Sequence, residues 1–161
     1  MSDSPARVRE LLALYRRTYY GVVLADGDGA TLRVGATPPP AVADWIDADD
    51  PAVYLTACNP RSLALADTDN TARMDVLRKR LRDANARWLE GCAGIPGEAW
   101  NEPSLLVAGV DLAAVDRLAR DFGQIAALII ARDRHIALRL YREDWRADAN
   151  NDVDIEWADH A

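Results

Sequence analysis

Three short apolar runs, at residues 52–58, 104–110 and 125–131, do most to limit the folds open to this chain. Each run has the length of a single strand and is mostly apolar from end to end. This pattern is typical of a strand that is covered on both faces of a sheet. None of the runs approaches the roughly 18 residues that a membrane-crossing helix needs. The runs therefore predict an α+β protein built around a buried sheet.

Patterns before the first run predict an N-terminal helix and hairpin. Ser4 is placed to cap a helix that starts at Pro5 and gives way to a strand near Thr18. Residues 26–29, with the sequence DGDG, predict the tight turn of a β-hairpin. Three consecutive prolines then break the chain and start a short helix that reaches Ile46.

A long central helix is predicted at residues 69–89, because apolar residues recur there at spacings of three and four: Met74, Leu77, Leu81, Ala84 and Trp88. The glycines of residues 91–97 predict an irregular loop after it. A further helix is bounded by Asp111 as its cap and by Gly123 at its end. Residues 135–142 alternate between apolar and other positions and predict a C-terminal β-hairpin with the third run. Together these elements predict a single mixed sheet of about five to six strands.

Acidic residues are concentrated at the C-terminus. The chain carries 19 basic and 26 acidic residues, and residues 143–161 hold seven of the acids against Arg146 alone. Residues 1–142 are therefore close to neutral, with 18 basic and 19 acidic residues, and we expect them to form a single globular domain. In residues 152–157 of the acidic tail, acids alternate with apolar residues. This segment is expected to pack as an extra edge strand or against the basic long helix.

Composition argues against several classes of function. A near-neutral body with an acidic tail lacks the basic footprint of a nucleic-acid-binding protein. No long apolar run and no secretory signal pattern occurs, so neither a membrane protein nor a secreted one is expected. Cys58 and Cys92 have neither metal-ligand nor disulfide-framework spacing. The sequence therefore predicts a cytoplasmic protein without a metal site or cofactor.

Polar side chains gather at the ends of the three apolar runs, where ligand sites often lie. The first run ends in TACNPRS, and the fragments EPS and FGQ precede the second and third runs. These fragments supply the candidate ligand-binding residues: Thr56, Asn59, Arg61, Ser62, Glu102, Ser104 and Gln124. Simple crossovers would place a strand's end and the next strand's start at opposite edges. The motifs converge only if the first two runs are antiparallel, or if long loops fold back over one edge.

Several of these residues also have a structural interpretation. Asn59 is a frequent turn opener, or else it presents its amide to a ligand whose charge Arg61 holds. Glu102 satisfies backbone amides of the glycine-rich loop, or acts as a general base or hydroxyl-binding carboxylate. Gln124 locks the Asn59 turn to the next strand end, or points at a ligand. The sequence leaves these alternatives open.

The order of the motifs resembles that of a bacterial family, domain of unknown function family 3293. The resemblance rests on TACNPRS, on Asn70 and the long helix, on Trp100 followed by EPS, and on FGQ followed by AALII. The N-terminal part, in which Tyr15 precedes a strand that ends in LRVG, is similar to the first half of the family. The resemblance extends over residues 10–142 and implies an α/β domain of no established activity.

Two functions are compatible with these patterns. The first is a cytoplasmic domain that binds a small anionic or polar metabolite in a polar pocket at the strand ends. The alternative is a non-catalytic interaction or regulatory module that works through the basic long helix and the acidic tail. A nucleophilic Cys58 would need a base, but His135 and His160 lie in a hairpin turn and in the tail. No catalytic residue is assigned, and both enzymatic activity and oligomeric state are left open.

Overall fold

One mixed β-sheet organises the fold. The computed structural model describes residues 2–149 and 154–159. These residues form eight strands: β1 (Tyr19–Val23), β2 (Gly29–Leu32), β3 (Ala52–Leu55), β4 (Arg87–Gly94), β5 (Asn101–Ala108), β6 (Ala126–Ile130), β7 (Ala137–Leu140) and β8 (Ile155–Trp157). The strand order is β2-β1-β4-β5-β3-β6-β7-β8. Every neighbouring pair is antiparallel except β7 and β8, which are parallel. The predicted α+β class and single mixed sheet are confirmed.

The described residues also contain five α-helices: α1 (Pro5–Arg17), α2 (Pro40–Trp45), α3 (Asp67–Asp83), α4 (Leu112–Asp121) and α5 (Arg146–Ala149). Short 3-10 turns lie at Pro60–Ser62 and Glu143–Trp145. Ser4 caps α1 as predicted, because its hydroxyl accepts a hydrogen bond from the Arg7 N–H. Asp111 precedes α4 but makes no capping bond with its side chain. In the described part of the chain, no helix is both long and apolar enough to cross a membrane.

Alternation along β5 explains why the apolar runs are continuous. Leu105 and Val107 pack with α3 and α4 on one face of the sheet, whereas Leu106 and Ala108 pack with α1, α2 and α5 on the other. All four side chains are at most 4% exposed. Successive side chains of a strand point to opposite faces, so a strand covered on both sides is apolar at every position.

The predicted count of about five to six strands is wrong, and one reason is a strand concealed within residues 84–97. The helical spacing of apolar residues continues past the end of α3, but the left-handed Asn85 (φ 56°) turns the chain into β4. Gly91, expected in a loop, lies inside β4, where a Cβ would come within 2.2 Å of the Gly21 carbonyl oxygen. Glycine here permits the close approach of two backbones rather than a turn.

The other addition to the count comes from the acidic tail, for which an extra edge strand was one of the two expected arrangements. β8 pairs in parallel with β7 at one edge of the sheet, with Leu138 opposite Ile155 and Leu140 opposite Trp157. Residues 152 and 153 of the alternating segment lie outside the described residues. The strand order therefore runs from the N-terminal hairpin at one edge to the tail at the other.

A buried ion pair ties β7 to α4 and to β8. Arg139 and Asp116 are each 4% exposed, and the guanidinium donates two hydrogen bonds to the carboxylate, at 2.8 and 2.7 Å. Tyr141 donates a third hydrogen bond to Asp116 at 3.0 Å, and Arg139 also donates to Glu156 of β8. Removing one member of a buried pair leaves the other charge uncompensated. Because Arg139 bonds both Asp116 of α4 and Glu156 of β8, it couples the tail strand to the body of the fold.

Asp116→Ala is expected to lower the free energy of unfolding by about 3–5 kcal/mol, because Arg139 then stays buried with the less buried Glu156 as its remaining carboxylate partner. Urea denaturation followed by circular dichroism measures the change. The control is Asp83→Ala, which removes an exposed ion pair with Lys79 and is expected to change stability by about 0.5 kcal/mol or less. Similar small losses for both variants would contradict the role assigned to the buried pair.

Candidate functional site

The three polar motifs meet because β3 is antiparallel to both of its neighbours. Leu55, at the end of β3, lies opposite Leu105 near the start of β5, and Tyr54 lies opposite Leu128 of β6. The end of β3 and the starts of β5 and β6 therefore lie side by side. They share the edge of the sheet that runs across the strand ends. This antiparallel pairing is the arrangement that convergence of the motifs requires.

A cavity of about 370 Å³ lies at this edge. Its walls come from α1, from β1 and other strands of the sheet, from the segment after β3, and from the turn between β4 and β5. Six of the seven candidate residues line it: Thr56, Asn59, Ser62, Glu102, Ser104 and Gln124. The structure thus brings together side chains from all three motifs.

Much of the remaining lining was missed by sequence reasoning. It includes four aromatic side chains and a second carboxylate: Tyr15, Tyr20, Tyr54, Trp100 and Glu98. The tyrosines carry no local signal of a site, because they belong to α1, β1 and β3 and only the topology brings them together. Trp100 and Glu98 stand within four residues of Glu102, so the composition of that turn was the one available signal.

Arg61 is the one candidate residue that does not line the cavity in the described structure. It is exposed, and its backbone N–H donates a hydrogen bond to the Gly123 carbonyl oxygen at 2.8 Å. Its position therefore gives no support to the interpretation that Arg61 holds the charge of a ligand.

Asn59 joins three parts of the site. Its side-chain N–H donates to Oε2 of Glu102 at 2.8 Å. Its side-chain oxygen accepts from the backbone N–H of Leu65 at 3.0 Å and from the Asn70 amide at 2.8 Å. Its own backbone N–H donates to the Asn70 side-chain oxygen at 3.0 Å. Asn59 therefore fixes the turn and also holds Glu102 at the cavity, so the two interpretations of this residue are compatible.

The segment after β3 has an unusual backbone. Three non-glycine residues within four positions are left-handed: Asn59 (φ 47°), Arg61 (φ 56°) and Ser62 (φ 57°). Residues with a Cβ disfavour this region by roughly 1–2 kcal/mol each, although asparagine visits it more readily. The Ser62 and Tyr15 hydroxyls, 2.7 Å apart, share a hydrogen bond that ties the segment to α1. Backbone strain of this kind concentrates at functional sites.

Gln124 and Arg73 fasten the same segment from the opposite side. The Gln124 amide donates to the Cys58 carbonyl oxygen at 2.9 Å. The Arg73 guanidinium donates to the carbonyl oxygens of Ala57, at 2.6 Å, and Phe122, at 2.5 Å. Gln124 thus locks two strand ends together, as one interpretation predicted, while it also lines the cavity.

Thr56 and Ser104 bond mainly to nearby backbone. The Thr56 hydroxyl donates to the Pro103 carbonyl oxygen at 2.7 Å and accepts from the Cys58 N–H at 3.0 Å. The Ser104 hydroxyl donates to the Glu102 carbonyl oxygen at 3.1 Å. The Thr56 bond therefore ties the segment after β3 to β5 beside the cavity, whereas the Ser104 bond lies within β5.

Glu102 is the group of the described lining whose pKa is raised into the neutral range. Burial raises its pKa from the ordinary 4.5 to about 7, and the hydrogen bond from Asn59 offsets part of that rise. Among the described residues, the Glu102 carboxylate accepts a hydrogen bond from the Asn59 amide and from no backbone amide of the glycine-rich loop. The interpretation in which Glu102 satisfies those loop amides is therefore wrong. Burial also raises the pKa of Tyr15 to about 12 and raises those of Tyr20 and Tyr54 above their ordinary range. A carboxyl group poised in this way is able to hold or release a proton near neutral pH.

Cysteine and metal chemistry find little support in the described residues. Cys58 is 1% exposed, and burial raises the pKa of its thiol. No three side chains of histidine, cysteine, aspartate or glutamate are grouped within these residues as a metal site would need.

Residues 55–127 match the family model described as Protein of unknown function (DUF3293). The match confirms the resemblance predicted from the motifs, and it covers all three of them, from the end of β3 into β6. The N-terminal part, which the sequence also likens to this family, lies outside the matched residues. No curated protein and no solved structure matches the chain.

Asn59→Ala is expected to lower the free energy of unfolding by about 1–3 kcal/mol, because the Leu65 N–H and the Asn70 amide lose their acceptor. Arg61→Ala is the matched control two residues away and is expected to change stability by about 0.5 kcal/mol or less. Urea denaturation of both variants measures the two effects. Equal stability of the two variants would show that Asn59 does not hold the segment together.

Glu102→Gln is expected to stabilise the protein at about pH 8 and to have no such effect at about pH 4. Because the folded state raises the pKa from 4.5 to about 7, the native protein binds more protons than the unfolded chain within that window. Its stability therefore falls as the pH rises through the window, and the glutamine variant escapes this loss. Thermal unfolding of both proteins across the pH range measures the difference. A difference that does not vary with pH would contradict the raised pKa.

Proposed function

We propose that the protein binds a small polar metabolite in the cavity at the edge shared by β3, β5 and β6. The observation that carries the proposal is the convergence of three polar motifs on one cavity of about 370 Å³ with aromatic walls. Pockets for small molecules typically enclose roughly 300–1,000 Å³ and combine apolar walls with a few directed polar groups. The raised pKa of Glu102 and the strained segment after β3 add support, since both features concentrate at ligand sites.

The proposal is for binding rather than for a named reaction. Neither cysteine nor histidine is present in the described lining, so a nucleophile paired with an imidazole has no support there. Both cysteines are free thiols, which supports a reducing, cytoplasmic setting for the metabolite.

The alternative, an interaction module that uses the basic face of α3, has weaker support. Three of the cations on this helix pair with acids of the same chain: Arg78 with Asp75 and Glu90, Lys79 with Asp83, and Arg80 with Asp121. Local pairing reduces the field that would attract an acidic partner. The tail strand β8 is paired with β7 as the outermost strand of the sheet, so its backbone is already engaged by the protein's own sheet.

A thermal-shift screen of the purified protein against polar metabolites tests the proposal. A ligand present at 100 times its Kd stabilises a protein by about 2.7 kcal/mol, which is a rise of about 5–10 °C in Tm for a chain of this size. Ala64→Trp is expected to abolish the shift, because Ala64 is an exposed residue of the lining and a tryptophan there obstructs the cavity.

The matched control for obstruction is Ala72→Trp, on an exposed part of α3 away from the cavity lining. This variant is expected to retain the full shift. A panel without any stabilising compound, or a shift that survives Ala64→Trp, would count against binding in this cavity.

A further inference from the structure

We infer that the ligand of this cavity is a cation, a protonated amine on an apolar or aromatic body, with Glu102 as its charged partner. The inference rests on the proposed function and names the class of ligand for that site. It follows from which hydrogen-bonding groups of the lining are already engaged by the protein and which are not.

The hydroxyl donors of the lining are largely committed to the protein backbone. Four hydroxyls donate to backbone carbonyl oxygens at 2.7 to 3.1 Å: those of Tyr20, Tyr54, Thr56 and Ser104. The Tyr15 and Ser62 hydroxyls bond to each other, so this pair keeps one hydrogen for a ligand. An anion needs several donors, and this lining has few to give.

Most amide donors are committed as well. Asn59 donates one of its two side-chain N–H groups to Glu102, and Gln124 donates to the carbonyl oxygens of Cys58 and Phe122. Arg73, which lies close by, donates to two backbone carbonyl oxygens and does not line the cavity. No arginine, lysine or histidine occurs in the described lining, so an anionic ligand would meet no opposite charge.

Acceptors, by contrast, remain available. Within the described residues the Glu102 carboxylate receives one side-chain hydrogen bond, from Asn59 to Oε2, which leaves Oε1 for a ligand. The exposed Glu98 adds a second negative charge to the lining. A protonated amine offers up to three donors and a positive charge, and hydrogen bonds between two charged groups are the strong ones. It therefore complements the unused groups of this lining.

The walls fit the body of such a ligand. Because Tyr20 and Tyr54 turn their hydroxyls toward backbone carbonyls, their rings contribute largely apolar surface to the cavity. Trp100, 37% exposed, adds a further aromatic surface to the lining. Aromatic side chains bury apolar groups and also attract cations to their faces. An amine joined to a ring or an alkyl chain matches both parts of the cavity.

Three probes of similar size and different charge test the inference: 2-phenylethylamine, 2-phenylethanol and 3-phenylpropanoate. Each is titrated into the 15N-labelled full chain at about pH 8, where Glu102 is ionised, and amide chemical shifts report the Kd. The amine is expected to bind at least about tenfold more tightly than the propanoate, a difference of about 1.4 kcal/mol. The perturbed amides are expected to lie around the cavity.

Glu102→Gln is expected to weaken amine binding about tenfold and to change the alcohol's Kd less than about threefold. Glu10→Gln, the matched control, is expected to change amine binding less than about threefold, because Glu10 is exposed on α1 and does not line the cavity. Lowering the pH from about 8 to about 5.5 is expected to weaken amine binding in the wild type and not in Glu102→Gln.

The inference would be overturned if the propanoate bound as tightly as the amine, or if Glu102→Gln left the affinity for the amine unchanged. Either result would contradict a cationic ligand without contradicting the proposal that the cavity binds a metabolite. Absence of amine binding up to about 10 mM would overturn the inference as well. In that case the thermal-shift screen, extended to uncharged and anionic polar metabolites, decides separately whether the cavity binds a metabolite.

Discussion

The antiparallel pairing of β3 with both of its neighbours is the constraint on which the rest of the structure depends. A strand between two antiparallel partners has its own end beside both of their starts. For this chain, that places the segment after β3, the start of β5 and the start of β6 at one edge. Polar residues that could not be buried in a sheet covered on both faces are thereby collected around one cavity.

Asn59 turns that shared edge into a defined site. Its side chain bonds to the backbone after β3, to Asn70 of α3 and to Glu102 of β5. The left-handed backbone at this point is unfavourable by itself, and the surrounding hydrogen bonds hold it in place. The same contacts that fix the turn keep a carboxyl group partly buried, which raises its pKa to about 7. The side chains that fix the turn therefore belong to the same network as the carboxyl group to which a ligand role is proposed.

The sequence was informative wherever one physical requirement controlled the pattern. Burial on both faces made the three runs apolar, and strand ends accounted for the polar motifs beside them. β4 was hidden because Trp88 continues the helical spacing, whereas the helix ends before the left-handed Asn85. The walls that Tyr15 and Tyr20 contribute depend on long-range topology, which no local pattern encodes. The exposure of Arg61 follows from a loop conformation that its residue type does not predict.

Glu102 is held, partly buried, in the cavity on which the proposed ligand binding depends. The most direct test is a pH titration of the protein labelled with 13C at the glutamate side-chain carboxyls, with Glu102 assigned among the six glutamates by its absence in Glu102→Gln. The predicted titration midpoint is about 7, well above the ordinary 4.5. A midpoint near 4.5 would mean that water solvates the carboxylate freely, and it would contradict the cavity as described.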